Sequence, residues 1–101
     1  MKIGVVGSGI AGLSASYYLS KKHIVDLFEK EDHFGGHSHT IEIEYEKNSK
    51  KKISVDIGFI VFNYLTYPNL INFFKENKIE IEKSDMSFSV SVKGSKIEYC
   101  G

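Results

Sequence analysis

The sequence is poor in several residue types on which whole classes of protein depend. Its 101 residues contain one cysteine, one proline and no tryptophan, and all 13 of its basic residues are lysines. A lone cysteine cannot form an internal disulfide, which is typical of a reducing compartment such as the cytoplasm. Without arginine, these residues offer no bidentate guanidinium clamp for a phosphate or a carboxylate.

Charge of one sign and long apolar runs are also lacking. The 13 basic residues balance 13 acidic ones, so the net charge predicts neither a nucleic-acid partner nor a membrane surface. No run approaches the roughly 20 apolar residues that a transmembrane helix needs. The apolar opening is interrupted by glycines at positions 4, 7, 9 and 12, which disfavours a secretory signal peptide.

The opening residues instead follow a strand–helix–strand pattern. Lys2–Val6 (KIGVV) is a short apolar run, typical of a parallel strand covered on both faces. A helix is predicted from Ser8 or Gly9 to about Ser20, and a second strand from His23 to Phe28. The sequence therefore predicts an α/β fold that begins with a Rossmann-like βαβ unit.

Three glycines in the first turn match the dinucleotide-binding pattern G-x-G-x-x-G. Gly7 permits a sharp turn, Gly9 lets a pyrophosphate approach the backbone, and Gly12 lets the helix pack close to the strand. Glu29 follows Gly7 by 22 residues, close to the spacing of the acid that accepts ribose hydroxyls. The alternative is a βαβ unit with structural glycines and a solvated Glu29.

The loop after Glu29 bears on which dinucleotide is bound, because NAD and FAD both use this turn. Gly35 and Gly36 follow the acid closely, and two adjacent glycines permit a second backbone approach to the same cofactor. That favours FAD, whereas a merely flexible loop remains the alternative. His33, His37 and His39 share this loop, but no cysteine or acid completes a zinc spacing, so no metal site is predicted.

The rest of the chain predicts a hairpin and then mixed structure. Residues 40–46 and 51–57 alternate with period two and predict an antiparallel hairpin around Asn48-Ser49-Lys50. Thr66 is the candidate cap of a helix that has Pro68 in its first turn and ends near Asn77. Further strands are predicted at residues 78–83, 86–92 and 97–100, with a turn at 93–95.

Several of these segments together resemble one flavoprotein superfamily. The stretches GVVGSGIAGLSASYYL, LFEK and HFGGHSHT are similar to the amino-terminal signature of FAD-dependent amine oxidases, a superfamily that includes protoporphyrinogen oxidase and phytoene desaturases. The stretches VDIGFIVFNYLTYPNLINFF and DMSFSV resemble a bacterial branch of amine-oxidase-like NAD/FAD-binding proteins. The resemblance covers nearly the whole chain.

The resemblance implies a set of FAD contacts. The pyrophosphate would be held by the first glycine turn, which consists of Gly7, Ser8, Gly9, Ile10, Ala11 and Gly12. Glu29 would bind the adenosine ribose with Lys30 beside it. The second glycine segment, Gly35, Gly36 and His37, would line the pyrophosphate and ribityl region, although the superfamily often has arginine where this chain has His37.

Further along, the resemblance implies that Gly58 lets the chain approach the flavin closely, while Asp56 is expected to be a structural acid. Residues 1–62 would form the amino-terminal part of the FAD-binding domain, and residues 63–101 the start of an α+β substrate domain. Because the chain stops within a predicted hairpin, we expect it to be the amino-terminal piece of a longer protein.

The function implied by the resemblance is oxidation of a C–N or C–C bond by hydride transfer to FAD, in a small-molecule substrate that is an amine, a lipid or an isoprenoid. The catalytic residues cannot be named from these residues. An NAD-dependent oxidoreductase and a non-enzymatic nucleotide-binding module remain the alternatives. The NAD-dependent enzyme would carry no bound chromophore, and the module would bind a cofactor without turnover.

Overall fold

The computed structural model describes residues 1–47 and 50–101. Asn48 and Ser49, the first two residues of the predicted hairpin turn, lie outside the described residues. The chain divides into two compact units, Met1–Ile60 and Val61–Gly101.

The first unit opens with the predicted βαβ arrangement. Strand β1 (Lys2–Val6) leads into helix α1 (Ile10–Ser20), which returns the chain to strand β2 (Ile24–Phe28). The two strands pair in parallel, from Lys2 opposite Ile24 to Val6 opposite Phe28. Parallel neighbours need a crossover between them, and α1 supplies it.

One prediction about this sheet is wrong. The apolar run of β1 predicted burial on both faces, but burial alternates along both strands. Ile3 and Val5 are half-buried, whereas Val6 on the other face is 87% exposed. Within the described residues, α1 packs against the strands from one side, so alternate side chains are left open to solvent.

The first unit ends in the predicted antiparallel hairpin. Strand β3 (Thr40–Glu44) pairs with strand β4 (Lys52–Asp56), with Thr40 opposite Asp56 and Glu44 opposite Lys52. Both strands are slightly shorter than the alternating pattern predicted. Opposite charges do pair across the hairpin, since Lys52 Nζ lies 3.4 Å from Glu42 Oε2.

The second unit contains helix α2 (Pro68–Glu76) and a short antiparallel hairpin of β5 (Ser89–Ser91) and β6 (Glu98–Cys100). Ile71 of α2 is its buried apolar side chain, at 6% exposure. The rings of Phe62 and Phe74 pack edge to face with centroids 5.4 Å apart. The apolar side chains of α2 therefore face a small core.

The predicted start of α2 is wrong by one residue. Tyr67, and not Thr66, is the residue that caps the helix, and its side chain makes no capping hydrogen bond. Asn63 accounts for the difference, because its Oδ1 accepts the Leu65 and Thr66 N–H groups and the Thr66 hydroxyl. The Thr66 side chain is thus used in the turn before the helix.

The strand predicted at residues 78–83 is absent, since no strand occurs between α2 and β5. The chain leaves α2 through Lys78, whose φ of 52° is left-handed. The Ile79 N–H donates to the Phe74 carbonyl at 2.9 Å, and the Lys78 N–H to the Lys75 carbonyl at 3.2 Å. These two hydrogen bonds form a Schellman motif. The N–H groups of Lys78 and Ile79 are therefore not available for pairing with a neighbouring strand.

Candidate nucleotide-binding site

The first glycine turn is closed by backbone contacts. Gly7 has a φ of 93° and donates its N–H to the Phe28 carbonyl at 2.7 Å, which joins the end of β1 to the end of β2. A Cβ on Gly12 would lie 1.8 Å from the Gly7 carbonyl oxygen and 3.6 Å from Val5 Cγ1. Helix α1 can therefore begin against β1 only because residue 12 has no side chain.

The amino terminus of α1 fits an anionic group. Gly9 caps the helix without a side-chain hydrogen bond, and the first turn carries no acidic residue. The N–H groups of Ile10, Ala11 and Gly12 lack partners within the helix, as at every helix start. A Cβ on Gly9 would meet nothing within 4 Å, so the space beside these donors is open. Free donors, the positive dipole end and open space are what a phosphate requires.

The second glycine segment packs onto the first. The Gly35 N–H donates to the Ser8 carbonyl at 2.8 Å, and Gly9 and Gly35 form an isolated parallel bridge. A Cβ on Gly36 would lie 3.1 Å from Gly9 Cα. Gly35 and Gly36 have φ values of 107° and 59°, which a side chain would disfavour. Two glycine segments that are 26 residues apart in sequence thus form one surface with few side chains.

Glu29, which follows β2, is held by the first glycine turn. Its Oε2 accepts the Ser8 N–H at 2.8 Å and the Ser8 hydroxyl at 2.5 Å, while Oε1 accepts the Glu31 N–H at 3.1 Å. Ser8 itself is completely buried. The Ser8 hydroxyl, with the Glu31 and Ser8 backbone donors, lowers the pKa of Glu29 from 4.5 to about 2. The carboxylate is therefore ionised at neutral pH.

Lys30 and His37 make contacts within the protein in this loop, and these contacts do not indicate a nucleotide. The Lys30 ammonium is exposed and lies 3.6 Å from Glu31 Oε1. The His37 carbonyl accepts the Phe59 N–H at 2.9 Å. The roles of both side chains toward a nucleotide therefore remain predictions from the resemblance.

Gly58 is required by the protein's own backbone. A Cβ on Gly58 would lie 1.5 Å from the His37 carbonyl oxygen, so the approach that this glycine permits is to His37. The Ile57 N–H donates to the His39 carbonyl at 2.9 Å, which extends the β3–β4 pairing toward the glycine loop. Asp56 is a structural acid there, because its Oδ1 accepts the Thr40 hydroxyl at 2.5 Å.

Residues 1–47 and 50–101 hold neither a cluster of metal ligands nor a helix that could span a membrane. No three His, Cys, Asp or Glu side chains lie together in a way that suits a metal ion. The His33 and His39 rings pack edge to face with centroids 4.1 Å apart. Over the same residues, neither helix is long and apolar enough to cross a bilayer.

Sequence reasoning missed the link between Ser8 and Glu29. It placed Ser8 among the pyrophosphate contacts, which stays a prediction, and did not foresee that the Ser8 hydroxyl donates to the Glu29 carboxylate. The signal available was a hydroxyl residue between two glycines, beside a strand end that carries an acid. Nothing in the spacing specifies which partner such a hydroxyl takes.

Comparison with known families fits this geometry. Residues 5–77, which include both glycine segments and Glu29, match the model of the NAD(P)-binding Rossmann-like domain. The chain belongs to the NAD(P)-binding Rossmann-like domain family. Its βαβ unit, with the glycine turn at the start of α1, is the arrangement by which that fold binds dinucleotides.

Two curated relatives of this Rossmann-like domain narrow the comparison. A protoporphyrinogen oxidase from Dictyostelium discoideum is 40% identical over 68 residues, which cover 56% of this chain and 13% of that protein. A 1-hydroxycarotenoid 3,4-desaturase from a Flavobacterium strain is 52% identical over 40 residues, or 39% of this chain and 8% of that protein. The matches therefore span a small part of each relative.

These matches confirm the resemblance to the amine oxidase and desaturase superfamily, for which protoporphyrinogen oxidase and phytoene desaturases were the expected members. The Rossmann-like part of the predicted fold class is confirmed as well. The contacts of single residues with a nucleotide remain predictions.

Proposed function

We propose that this chain is the amino-terminal FAD-binding part of a flavin-dependent oxidoreductase of the amine oxidase and desaturase type. Its substrate would be a small molecule, and the reaction the oxidation of a C–N or C–C bond. Bound FAD supplies the hydride acceptor for that chemistry. Residues 63–101 would begin the substrate domain, and the single cysteine favours a reducing, cytoplasmic location.

The observation that carries the proposal is the contact between the two glycine segments. Gly9 lies beside Gly36, and the open space over Gly9 adjoins the first-turn N–H groups of α1. A pyrophosphate bound there would meet the backbone donors at the start of α1. Glu29, ionised at the end of β2, would accept the ribose hydroxyls and repel a 2′-phosphate.

The second glycine segment also supports FAD over NAD. A nicotinamide dinucleotide needs only the first turn, the helix start and the ribose acid. Gly35 and Gly36 add a second side-chain-free backbone at the same place, which suits a second approach to one cofactor. The two relatives named as an oxidase and a desaturase support oxidoreductase chemistry.

The test is the visible absorption of the protein, expressed from its complete reading frame and purified, before and after denaturation. We expect a flavin spectrum and release of FAD on unfolding. Gly9→Ala should purify with much less flavin, because its methyl group enters the open space beside the helix donors. Glu29→Ala should do the same through loss of the ribose acceptor.

Two matched variants control for general effects of substitution. Gly4→Ala changes another glycine of the same unit, where a Cβ would make ordinary contact with the Phe28 ring at 3.5 Å. Glu31→Ala removes an exposed acid two residues from Glu29, and both controls should keep their flavin. A folded, colourless protein that takes up NADH but not added FAD would overturn the proposal in favour of an NAD-dependent enzyme.

Turnover decides between the enzyme and a nucleotide-binding module. A protein that binds FAD should bleach when a suitable amine or polyene substrate reduces it without oxygen, and recover its colour in air. An FAD-loaded protein that no amine, porphyrinogen or carotenoid reduces would contradict the oxidoreductase proposal and favour the module.

A further inference from the structure

Ser8 contacts two other parts of the site through three different atoms. Its hydroxyl and its N–H both donate to Glu29 Oε2, at 2.5 and 2.8 Å. Its carbonyl accepts the Gly35 N–H at 2.8 Å. One residue therefore joins the first glycine turn to the end of β2 and to the second glycine segment.

The burial of Ser8 makes these contacts obligatory. At 0% exposure, its hydroxyl has no access to bulk water and needs a partner within the protein. That partner is a carboxylate, and hydrogen bonds to charged groups are stronger than those between neutral ones. The Glu29 carboxylate, which is only partly buried, is thereby fixed in one rotamer by a completely buried donor.

The two oxygens of Glu29 are consequently not equivalent. Oε2 takes both donors of Ser8 and is turned toward the glycine turn. Oε1 takes the Glu31 N–H at the longer distance of 3.1 Å and is the oxygen to which Ser8 does not donate. The charged neighbours in this loop, Lys30 and Glu31, pair with each other at 3.6 Å.

We propose that Ser8 is a positioning residue for Glu29, whose hydroxyl fixes the carboxylate so that Oε1 meets the adenosine ribose and a 2′-phosphate is rejected. This inference rests on the proposed dinucleotide function and adds to it the residue that sets ribose specificity. Ser8 does not itself touch the reacting part of the cofactor. It acts on the nucleotide through Glu29.

The test uses the full-length protein after removal of bound cofactor, with two probes that differ only at the ribose. ADP-ribose and 2′-phospho-ADP-ribose are titrated calorimetrically into the wild type, Ser8→Ala and Ser8→Cys. We expect the loss of the hydroxyl to weaken ADP-ribose binding about tenfold, the equivalent of one charge-assisted hydrogen bond. Binding of 2′-phospho-ADP-ribose should weaken less. The ratio of the two dissociation constants should therefore move closer to one.

The cysteine variant separates the hydrogen bond from packing. Cysteine keeps a γ atom in the place of the serine hydroxyl, although sulfur is larger than oxygen, and its thiol is only a weak donor. Ser8→Cys should therefore fold without the void that Ser8→Ala leaves. It should still lose the preference for ADP-ribose over 2′-phospho-ADP-ribose. Ser14→Ala is the matched control, because the Ser14 hydroxyl donates within its own helix, to the Ala11 carbonyl at 3.1 Å.

A second measurement does not depend on nucleotide binding. Carbon-13 NMR of labelled glutamate carboxyls follows the titration of Glu29 directly. The pKa of Glu29, about 2 with Ser8 in place, should rise toward 4.5 in Ser8→Ala and Ser8→Cys and stay low in Ser14→Ala. A role of Ser8 in packing alone would leave that pKa unchanged in Ser8→Cys.

The outcomes separate the two proposals. If the wild type binds ADP-ribose while Ser8→Cys matches Ser14→Ala in affinity, discrimination and Glu29 titration, the positioning role is overturned and the proposed function stands. If the wild type binds neither FAD nor ADP-ribose, the proposed function is overturned together with the specificity role of Ser8.

Discussion

The carbonyl oxygen of Gly7 occupies the position that a side chain on Gly12 would need. A Cβ there would lie 1.8 Å from that oxygen and 2.9 Å from the carbonyl carbon. Both neighbours are backbone atoms of the turn, so neither can move without disturbing the junction of β1 and α1. The third glycine of the motif is thus a folding requirement, whereas the second leaves open space.

This difference predicts opposite behaviour for two alanine variants in one motif. Gly12→Ala should reduce the free energy of unfolding by about 2 kcal/mol or more, as overpacking against fixed atoms does. Gly9→Ala should lose less than about 1 kcal/mol, the penalty for replacing glycine at a helix cap. Urea unfolding of the two variants measures both effects.

The flavin content of the purified variants is the second measurement, because Gly9→Ala should be stable and yet carry little FAD. A Gly9→Ala protein that is as unstable as Gly12→Ala would show that the space over Gly9 is not open. A Gly12→Ala protein with wild-type stability would show that α1 can shift away from Gly7.

A second prediction concerns Gly58, which the resemblance placed near the flavin. Gly58→Ala should destabilise the first unit by about 2 kcal/mol or more, because its Cβ would lie 1.5 Å from the His37 carbonyl oxygen. The expected signature is faster hydrogen exchange of the Phe59 amide, which donates to that carbonyl. Gly4→Ala is the control, and equal exchange in the two variants would contradict the assignment.

The βαβ unit was predictable because its signals are local. A short apolar run, glycines at fixed offsets and a second apolar run are each read within a few residues. Burial on both faces was not predictable in the same way. It depends on which elements cover the sheet, and Phe28 on the open face is 57% exposed.

The strand predicted at residues 78–83 failed for a related reason. Ile79 and Ile81 alternate with polar residues, yet period-two alternation says nothing about whether a partner strand is present. At the site, the glycine motif correctly predicted the tight turn between β1 and α1, whereas its approach to a ligand stays a prediction. The motif did not predict that the His37 carbonyl lies against Gly58, or that the Ser8 hydroxyl donates to Glu29. Both contacts join residues that are distant in sequence.

Lys78 offers a stabilising change. It occupies the left-handed position of the Schellman motif after α2, where glycine is usual. Lys78→Gly should raise the free energy of unfolding by about 1 kcal/mol, because glycine adopts a φ of 52° without the Cβ penalty. Urea unfolding followed by a probe in the second unit measures the gain.

Lys75→Gly is the matched control for that substitution. It lies within the last turn of α2, and there glycine should lower the free energy of unfolding by about 1 kcal/mol. Opposite signs for two lysine-to-glycine changes three residues apart would confirm that the left-handed backbone sets the effect. Loss of stability in both would contradict it.

The low pKa of Glu29 predicts how stability depends on pH. The folded carboxyl titrates near 2 and an unperturbed glutamate at 4.5, so the stabilisation from its ionised form is complete above 4.5 and is lost as pH falls through that range toward 2. Glu29→Gln removes this titration, and its urea midpoint should fall less steeply between pH 5 and pH 2 than that of the wild type. Glu31→Gln removes a carboxylate from the same loop and controls for the change in net charge. Equal slopes for Glu29→Gln and the wild type would mean that Ser8 does not hold the Glu29 carboxylate in the folded protein.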